Sequence, residues 1–345
     1  MITFHSEATK LRRALTELNE GLLVAPFECP ERVDLVLGRV REVGLSEVRS
    51  PTRYGLEPVL AVHDACYVEF LASCWEEWKA IGMAGEAIPN IWPSRSMPGR
   101  RIPEHIEGRL GYYAQTGETS ICANTFEAAD ISKDIALSAL VHTLKTGEPS
   151  FGLCRPPGHH ASSDQFGGYC FFNNAAIAAD QALKHGRSRV AVLDVDFHHG
   201  NGTQEIFYAR DDVIFVSLHG DPLHCFPYYL GHANETGSGR GEGFNHNYPM
   251  PPGTDYAKWS TALDDGLARI RESGAELLIV SLGVDTFERD PISSFKLASE
   301  DYLDMGRRLA GFGLPTVFLL EGGYAVEEIG INVVNVLSGF DEGQA

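Results

Sequence analysis

One run of residues constrains the fold of this chain more than any other. The apolar stretch Val190-Ala191-Val192 leads into Leu193-Asp194-Val195-Asp196-Phe197-His198-His199 and stops at Gly200-Asn201-Gly202. An apolar β-branched run of this kind reads as a strand of a parallel sheet buried on both faces, and Gly-Asn-Gly cannot continue it. The polar residues therefore fall at the carboxyl end of a strand, which in α/β sheets borders the ligand crevice. Side chains two apart on a strand share a face, so Asp194, Asp196 and His198 are expected to converge as the strand finishes. Two carboxylates and an imidazole suit a divalent metal. The plainer alternative is a solvated polar loop that caps the next helix.

The same grammar recurs along the chain. Residues 2–4 read as an opening strand and 5–30 as a polar, Pro-punctuated stretch. The runs 151–154, 213–218, 275–282 and 315–320 read as strands. They end in Arg155-Pro156-Pro157-Gly158-His159-His160, His219-Gly220, Gly283-Val284-Asp285 and Glu321-Gly322-Gly323-Tyr324. Helical spacing marks 31–43, 58–81, 126–144, 175–184, 255–272 and 299–311, with Trp75, Trp78 and His142 read as core residues. Strand, polar tip and helix repeat without a linker-like break. This predicts an α/β fold, a single domain over 1–345 whose mainly parallel central sheet is flanked by helices. The exception is a long irregular loop near 82–118, with Pro89, Pro93, Pro98 and Pro103 and the cluster Arg95, Arg100 and Arg101. Excursions of that length tend to be lids, binding loops or partner contacts.

Composition narrows the class. Lys plus Arg at 28 against Asp plus Glu at 47 gives a net charge of −19, which opposes nucleic acid and anionic membrane and favours cationic ligands. The seven cysteines include no Cys-x-x-Cys, so they are expected to be reduced and buried rather than paired. No basic leader precedes an apolar stretch and no run has membrane-spanning length, so a cytoplasmic location is expected.

Asp196, His198 and Asp285 together offer three ligands from two strand ends, with a position left open. That describes a catalytic rather than a structural zinc, at which a water reaches a pKa of about 7. Hydrolysis then requires a base, which His159 or His160 can supply and which can afterwards protonate a leaving nitrogen. It also requires a donor to the oxyanion, and Tyr324 in its Gly-Gly-Tyr turn can swing into that place.

Taken together, Arg155-Pro-Pro-Gly-His-His160, Gly168-Tyr169-Cys170-Phe171, Asp194-Val-Asp196-Phe-His198-His199-Gly200 and Glu321-Gly-Gly-Tyr324 resemble the signature blocks of the zinc deacetylases of the arginase/deacetylase fold. Their order and spacing agree over nearly the whole length. The 82–118 loop, the stretch 281–287 and the Phe226-Pro227 turn most resemble bacterial acetylpolyamine amidohydrolases.

The resemblance implies zinc on Asp196, His198 and Asp285. His160 becomes general base and acid, His159 an electrostatic partner oriented by Asp194, and Tyr324 the oxyanion donor. It implies a channel for an aliphatic amine walled by Gly168, Tyr169 and Phe226, whose aromatic faces also suit a cation. It implies potassium at Asp194 with carbonyls of Asp196, His198, Ser217 and Leu218, and a second potassium at carbonyls of Phe207, Arg210 and Val213. The implied substrates are small cationic acetylated polyamines: acetylputrescine, acetylcadaverine or acetylspermidine. Glu17, Glu107 and Glu118 are candidates to attract the distal ammonium, against the alternative of ordinary surface acids. A homodimer closed through the 82–118 loop would exclude folded protein. Fe2+ or Co2+ can take the place of zinc.

Two departures from the pattern carry weight. Asn201 stands where some protein deacetylases of the family have Asp, and a neutral partner raises the pKa of His160 less. Gly283 stands where arginase-like relatives carry an Asp for a second metal, which points to one zinc. The competing readings are a protein-lysine deacetylase with the same groups, and a non-catalytic protein that binds acetylated amines.

Overall fold

Alternation decides how the apolar runs are used. Val190 and Val192 pack into one core cluster while Ala191 and Leu193 pack into another, and Val317/Leu319 against Phe318/Leu320 divide in the same way. Each strand thus buries both faces, as a parallel sheet with helices on either side requires.

The protein is described over residues 1–344 by a computed structural model. In chain order the elements are β1 (Ile2–Phe4), β2 (Glu17–Asn19), β3 (Leu22–Val24), α1 (Glu31–Glu42), β4 (Glu47–Arg49), α2 (Glu57–Leu60), α3 (Ala65–Ala80), α4 (Ile106–Tyr113), α5 (Thr125–Thr146) and β5 (Ser150–Gly152). They continue with α6 (Asn174–Lys184), β6 (Val190–Asp194), α7 (Asn201–Phe207), β7 (Val213–Gly220), β8 (Asn245–Met250), α8 (Tyr256–Ser273), β9 (Leu278–Leu282), α9 (Asp301–Phe312), β10 (Thr316–Leu320) and α10 (Ile329–Gln344).

Eight strands form one sheet in the order β4-β1-β5-β10-β9-β6-β7-β8, with every pairing parallel. β2 and β3 form a separate antiparallel hairpin. Helices α3, α5 and α6 cover one face, and α1, α8, α9 and α10 cover the other. After β5 the chain skips two sheet positions to reach β6, and β9 and β10 later fill the gap. The carboxyl ends of β5, β10, β9 and β6 therefore stand side by side at a switch point of the topology, where a crevice opens.

Several expected elements are revised. The helix expected over 58–81 is two, because Asp64 caps α3 by accepting the N–H groups of Cys66 (2.8 Å) and Tyr67 (3.3 Å). The 82–118 segment is irregular up to residue 105. There His105 Nδ1 accepts the N–H of Glu107 and starts α4. The cysteines are all free, but Cys66 is exposed and Cys29 and Cys225 only half-buried. Among the described residues no helix is long and apolar enough to cross a membrane.

Candidate active site and metal centre

β6 ends at Asp194, so strand alternation does not deliver Asp196 and His198; a bend in the chain does. Asp194 is not part of their cluster; its Oδ2 pairs with His159 Nδ1 (2.9 Å) and its Oδ1 accepts the Asp196 N–H (3.1 Å). Asp196 and His198 meet Asp285, which follows β9. His198 Nδ1 lies 3.0 Å from Asp285 Oδ2 and 3.4 Å from Asp196 Oδ1, and one donor atom from each residue falls within 4.8 Å of the others.

Backbone donors hold these carboxylates in place. Asp196 accepts the N–H groups of His198 (2.9 Å) and Gly322 (2.8 Å), and Asp285 accepts that of Phe197 (2.7 Å). Burial, together with the Asp196 carboxylate, pushes Asp285 up to about 8. Burial opposes a charge on His198, but its hydrogen bonds to Asp196 and Asp285 raise it to about 10. Two buried carboxylates and one imidazole, each already oriented, form a donor set that a divalent cation would relieve. The surroundings leave no room for a further acid. A Cβ on Gly283 would stand 2.0 Å from Asp196 Oδ2.

A second buried trio, His159, Cys170 and Glu321, is as compact. Burial holds the Cys170 thiol well above its usual range, which disfavours the thiolate a metal needs.

The tandem histidines are polarised in opposite senses. Burial works against a charge on His159, yet Asp194 and Asp196 outweigh it and hold its pKa well above the ordinary value. Burial, with His159 and His198 nearby, holds His160 well below. His160 Nδ1 is 2.7 Å from Asn201 Oδ1. A cationic imidazole beside a neutral one separates an electrostatic role from a proton-accepting role. Glu321 anchors their loop by accepting the N–H groups of Gly158 (2.6 Å) and His159 (3.2 Å).

Tyr324 is buried, and burial keeps its hydroxyl well above the ordinary pKa, so it remains a donor. Its turn is gripped from two sides. Asp290 accepts the N–H groups of Tyr324 (2.7 Å) and Ala325 (3.2 Å). Arg32 donates to the carbonyls of Glu321 (2.6 Å) and Gly323 (2.8 Å) and stacks over the Tyr324 ring at 4.9 Å. Arg32 is in turn paired with buried Glu28, which also binds Arg12 and Arg155. Sequence reasoning passed over Asp290, Glu28 and Arg32. Asp290 carried one signal, an Asp-Pro turn shortly after a ligand, while the other two had none.

His160, His198, Tyr324, Gly168, Tyr169, Phe226, Glu17 and Glu118 line one cavity of about 640 Å³. Phe226 sets its ring edge to face against His160, with centroids 4.8 Å apart. Glu17 is buried and accepts from the Tyr169 hydroxyl (2.7 Å) and the Phe27 N–H (3.0 Å); burial raises its pKa. Glu118 accepts from Thr116 (2.5 Å) and Gly168 (3.2 Å). Glu107 departs from expectation, because it sits in the first turn of α4 beside His105 and outside this cavity.

Asp194 pairs in register with Ser217 of β7, with Leu218 next to it. Phe207, Arg210 and Val213 span the turn from α7 to β7, where the Phe207 carbonyl accepts the Arg210 N–H.

Comparison with known proteins places the family and the fold. A profile of the histone deacetylase domain matches residues 26–340. An acetylpolyamine amidohydrolase of Mycoplana ramosa is 54% identical over 339 residues, covering 98% of this chain and 99% of that protein. Acetylpolyamine amidohydrolase 2 of Pseudomonas aeruginosa is 51% identical over 341 residues, covering 99% of each. The crystal structure of an acetylpolyamine aminohydrolase from Burkholderia pseudomallei superposes with a TM-score of 0.93 at 37% identity, covering 99% of both chains. By sequence and by architecture, then, the chain belongs to the histone deacetylase family, alongside its acetylpolyamine amidohydrolases.

Proposed function

We propose that this chain, acting over its whole length as one catalytic domain, hydrolyses the acetamide of N-acetylated polyamines to free amine and acetate. The observation that carries the reading is the pair of oppositely polarised histidines beside the Asp196, His198 and Asp285 trio, from which His160 and His198 reach a cavity lined by Tyr169, Phe226 and Tyr324 with acids in its wall. The relatives' names and their near-complete coverage support the substrate class.

One zinc per chain is the assigned metal, with Fe2+ or Co2+ as substitutes. Asp196, His198 and Asp285 would hold it, and it would supply a Lewis acid able to acidify water and polarise the acetyl carbonyl. His160, neutral and with Nδ1 engaged by Asn201, takes the proton of the attacking water at Nε2. It returns that proton to the amine nitrogen as the C–N bond breaks. His159, cationic against Asp194, steadies the negative charge that develops. The Tyr324 hydroxyl donates to the oxyanion. Tyr169 and Phe226 enclose the aliphatic chain, and Glu17 and Glu118, which share its cavity, act on the distal ammonium.

Potassium at Asp194 with the carbonyls of Asp196, His198, Ser217 and Leu218 steadies the strand ends, and a second potassium is assigned to Phe207, Arg210 and Val213. A homodimer through the 82–118 segment suits the charge pattern, since Arg95, Arg100 and Arg101 project from an otherwise acidic chain. That acidity also argues against nucleic acid and membrane as partners, and a cytoplasmic location fits free thiols and a metabolite substrate.

Steady-state kinetics over acetylputrescine, acetylcadaverine, acetylspermidine and an acetyl-lysine peptide, with metal analysis of the same preparation, tests this. The expected result is a higher kcat/KM for the acetylated amines and about one zinc per chain. A higher kcat/KM on the peptide would replace the substrate assignment with a protein-lysine deacetylase.

A further inference from the structure

Gln115 touches both members of the His160–Asn201 pair. Its Nε2 donates to the backbone carbonyl of His160 (2.9 Å), and Asn201 Nδ2 donates to its Oε1 (2.9 Å). A carbonyl oxygen only accepts, so His160 O decides which end of the Gln115 amide carries the N–H groups. Gln115 Oε1 is thereby turned toward Asn201, and it selects Asn201 Nδ2 as its donor. Asn201 Oδ1 is then left facing His160 Nδ1 at 2.7 Å. An oxygen in that place requires Nδ1 to bear the proton, and the lone pair falls on Nε2, the nitrogen available to the cavity.

We infer that Gln115 is a positioning residue that sets the tautomer of His160 through the orientation of the Asn201 amide. The Gln115 N–H is held by the Phe166 carbonyl (2.8 Å), so the side chain starts from a fixed backbone. A second bond of the same sense, Asn201 Nδ2 to His160 O at 3.4 Å, is too long to fix the amide strongly by itself. The relay matters because residue 201 is an amide. A carboxylate presents oxygen on both sides and has no wrong orientation, whereas an asparagine turned over would set N–H against N–H. The far end of the 82–118 segment thereby has a chemical task.

The kinetic consequence rests on the proposed hydrolysis; the tautomer itself does not. The test uses the metal-replete full-length protein and Gln115→Leu. Long-range 15N–1H spectra of labelled histidines, with His160 identified by its loss in His160→Ala, should show only the Nδ1–H tautomer in the wild type and both tautomers in Gln115→Leu. On an acetylated diamine, Gln115→Leu should lower kcat about tenfold and leave KM within roughly twofold. In an Asn201→Asp background the same substitution should cost less than about twofold in kcat, because a carboxylate cannot be misoriented. Retention of the Nδ1–H tautomer alone in Gln115→Leu would overturn the inference, as would an equal kcat loss in both backgrounds. A wild type that does not hydrolyse acetylated amines would instead count against the proposed function, and the spectra would still decide the role of Gln115.

Discussion

At the scale of single residues, the site depends on what is missing as much as on what is present. Gly168 has φ +54°, and a Cβ there would lie 2.2 Å from His160 Cδ2. Tyr169, next in sequence, also holds a positive φ of 66°, pinned by Thr119 at its N–H and Glu17 at its hydroxyl. Gly168→Ala is therefore expected to displace the His160 ring and lower kcat by about 100-fold or more, the scale of losing a positioned acid–base group. Gly44 provides the control, with φ +63° and nothing within 4 Å of its Cβ position. Gly44→Ala should cost about 1 kcal/mol of stability through backbone strain and leave kcat unchanged. Wild-type kcat in Gly168→Ala would mean that His160 has freedom the geometry denies it. The convergence of Asp196, His198 and Asp285, and the placing of the tandem histidines and Tyr324 near them, were legible in the sequence because each ends an apolar strand with a polar tip. Gln115, Asp290 and Arg32 were not, because each acts on groups of segments distant in the chain, and the Asp-Pro turn at 290 was the one local trace among them.

At the scale of elements, legibility followed hydrophobic periodicity. The central strands β6, β7, β9 and β10 are continuous apolar runs and were read to within a few residues. β8, Asn245-His-Asn-Tyr-Pro-Met, is a polar edge strand with a proline and gave no such signal. α10 was missed because its Val, Ile and Gly content is poor for a helix. Its glycines serve packing, since a Cβ on Gly339 would stand 2.1 Å from the Leu303 carbonyl oxygen of α9. The break between α2 and α3 places His63 where three segments meet. His63 Nδ1 donates to the Ser162 carbonyl (2.9 Å), and Nε2 accepts the N–H of Asn173 (2.9 Å), the residue that caps α6. A proton on Nε2 would face that N–H, and burial lowers the His63 pKa from 6.5 to about 4. The folded pKa is depressed, so the unfolded chain binds the proton first. The stabilisation is complete above pH 6.5 and is lost as pH falls through about 4. By pH 5 the loss should reach about 2 kcal/mol. Urea unfolding at about pH 7.5 and about pH 5 should show a fall in stability that is smaller by that amount in His63→Leu. Equal pH dependence in the two proteins would sink the assignment.

At the scale of the whole molecule, the net charge of −19 and the acids in the cavity wall, Glu17 and Glu118 among them, act together on any cationic substrate. A charge spread over the surface acts at long range in dilute salt, where the Debye length is near 30 Å at about 0.01 M, and fades as it shrinks to about 10 Å at 0.1 M. Glu17 and Glu118 lie inside the cavity, where a bound ammonium meets them at short range and salt screens them less. The two contributions can be separated. For acetylputrescine, KM should rise about threefold or more between roughly 0.02 and 0.3 M NaCl at constant potassium, with kcat unchanged, because salt weakens capture and not chemistry. For N-butylacetamide, which has the same acetamide and no charge, KM should stay flat. Glu118→Gln should raise KM for the diamine at every salt concentration and leave the slope nearly as it was, since the variant removes one of 47 acids from the distant field. A salt dependence shared equally by charged and uncharged amides would show that salt acts on the protein rather than on its attraction for the substrate. A slope abolished by Glu118→Gln would mean that one carboxylate, and not the molecule's overall charge, draws the cation in.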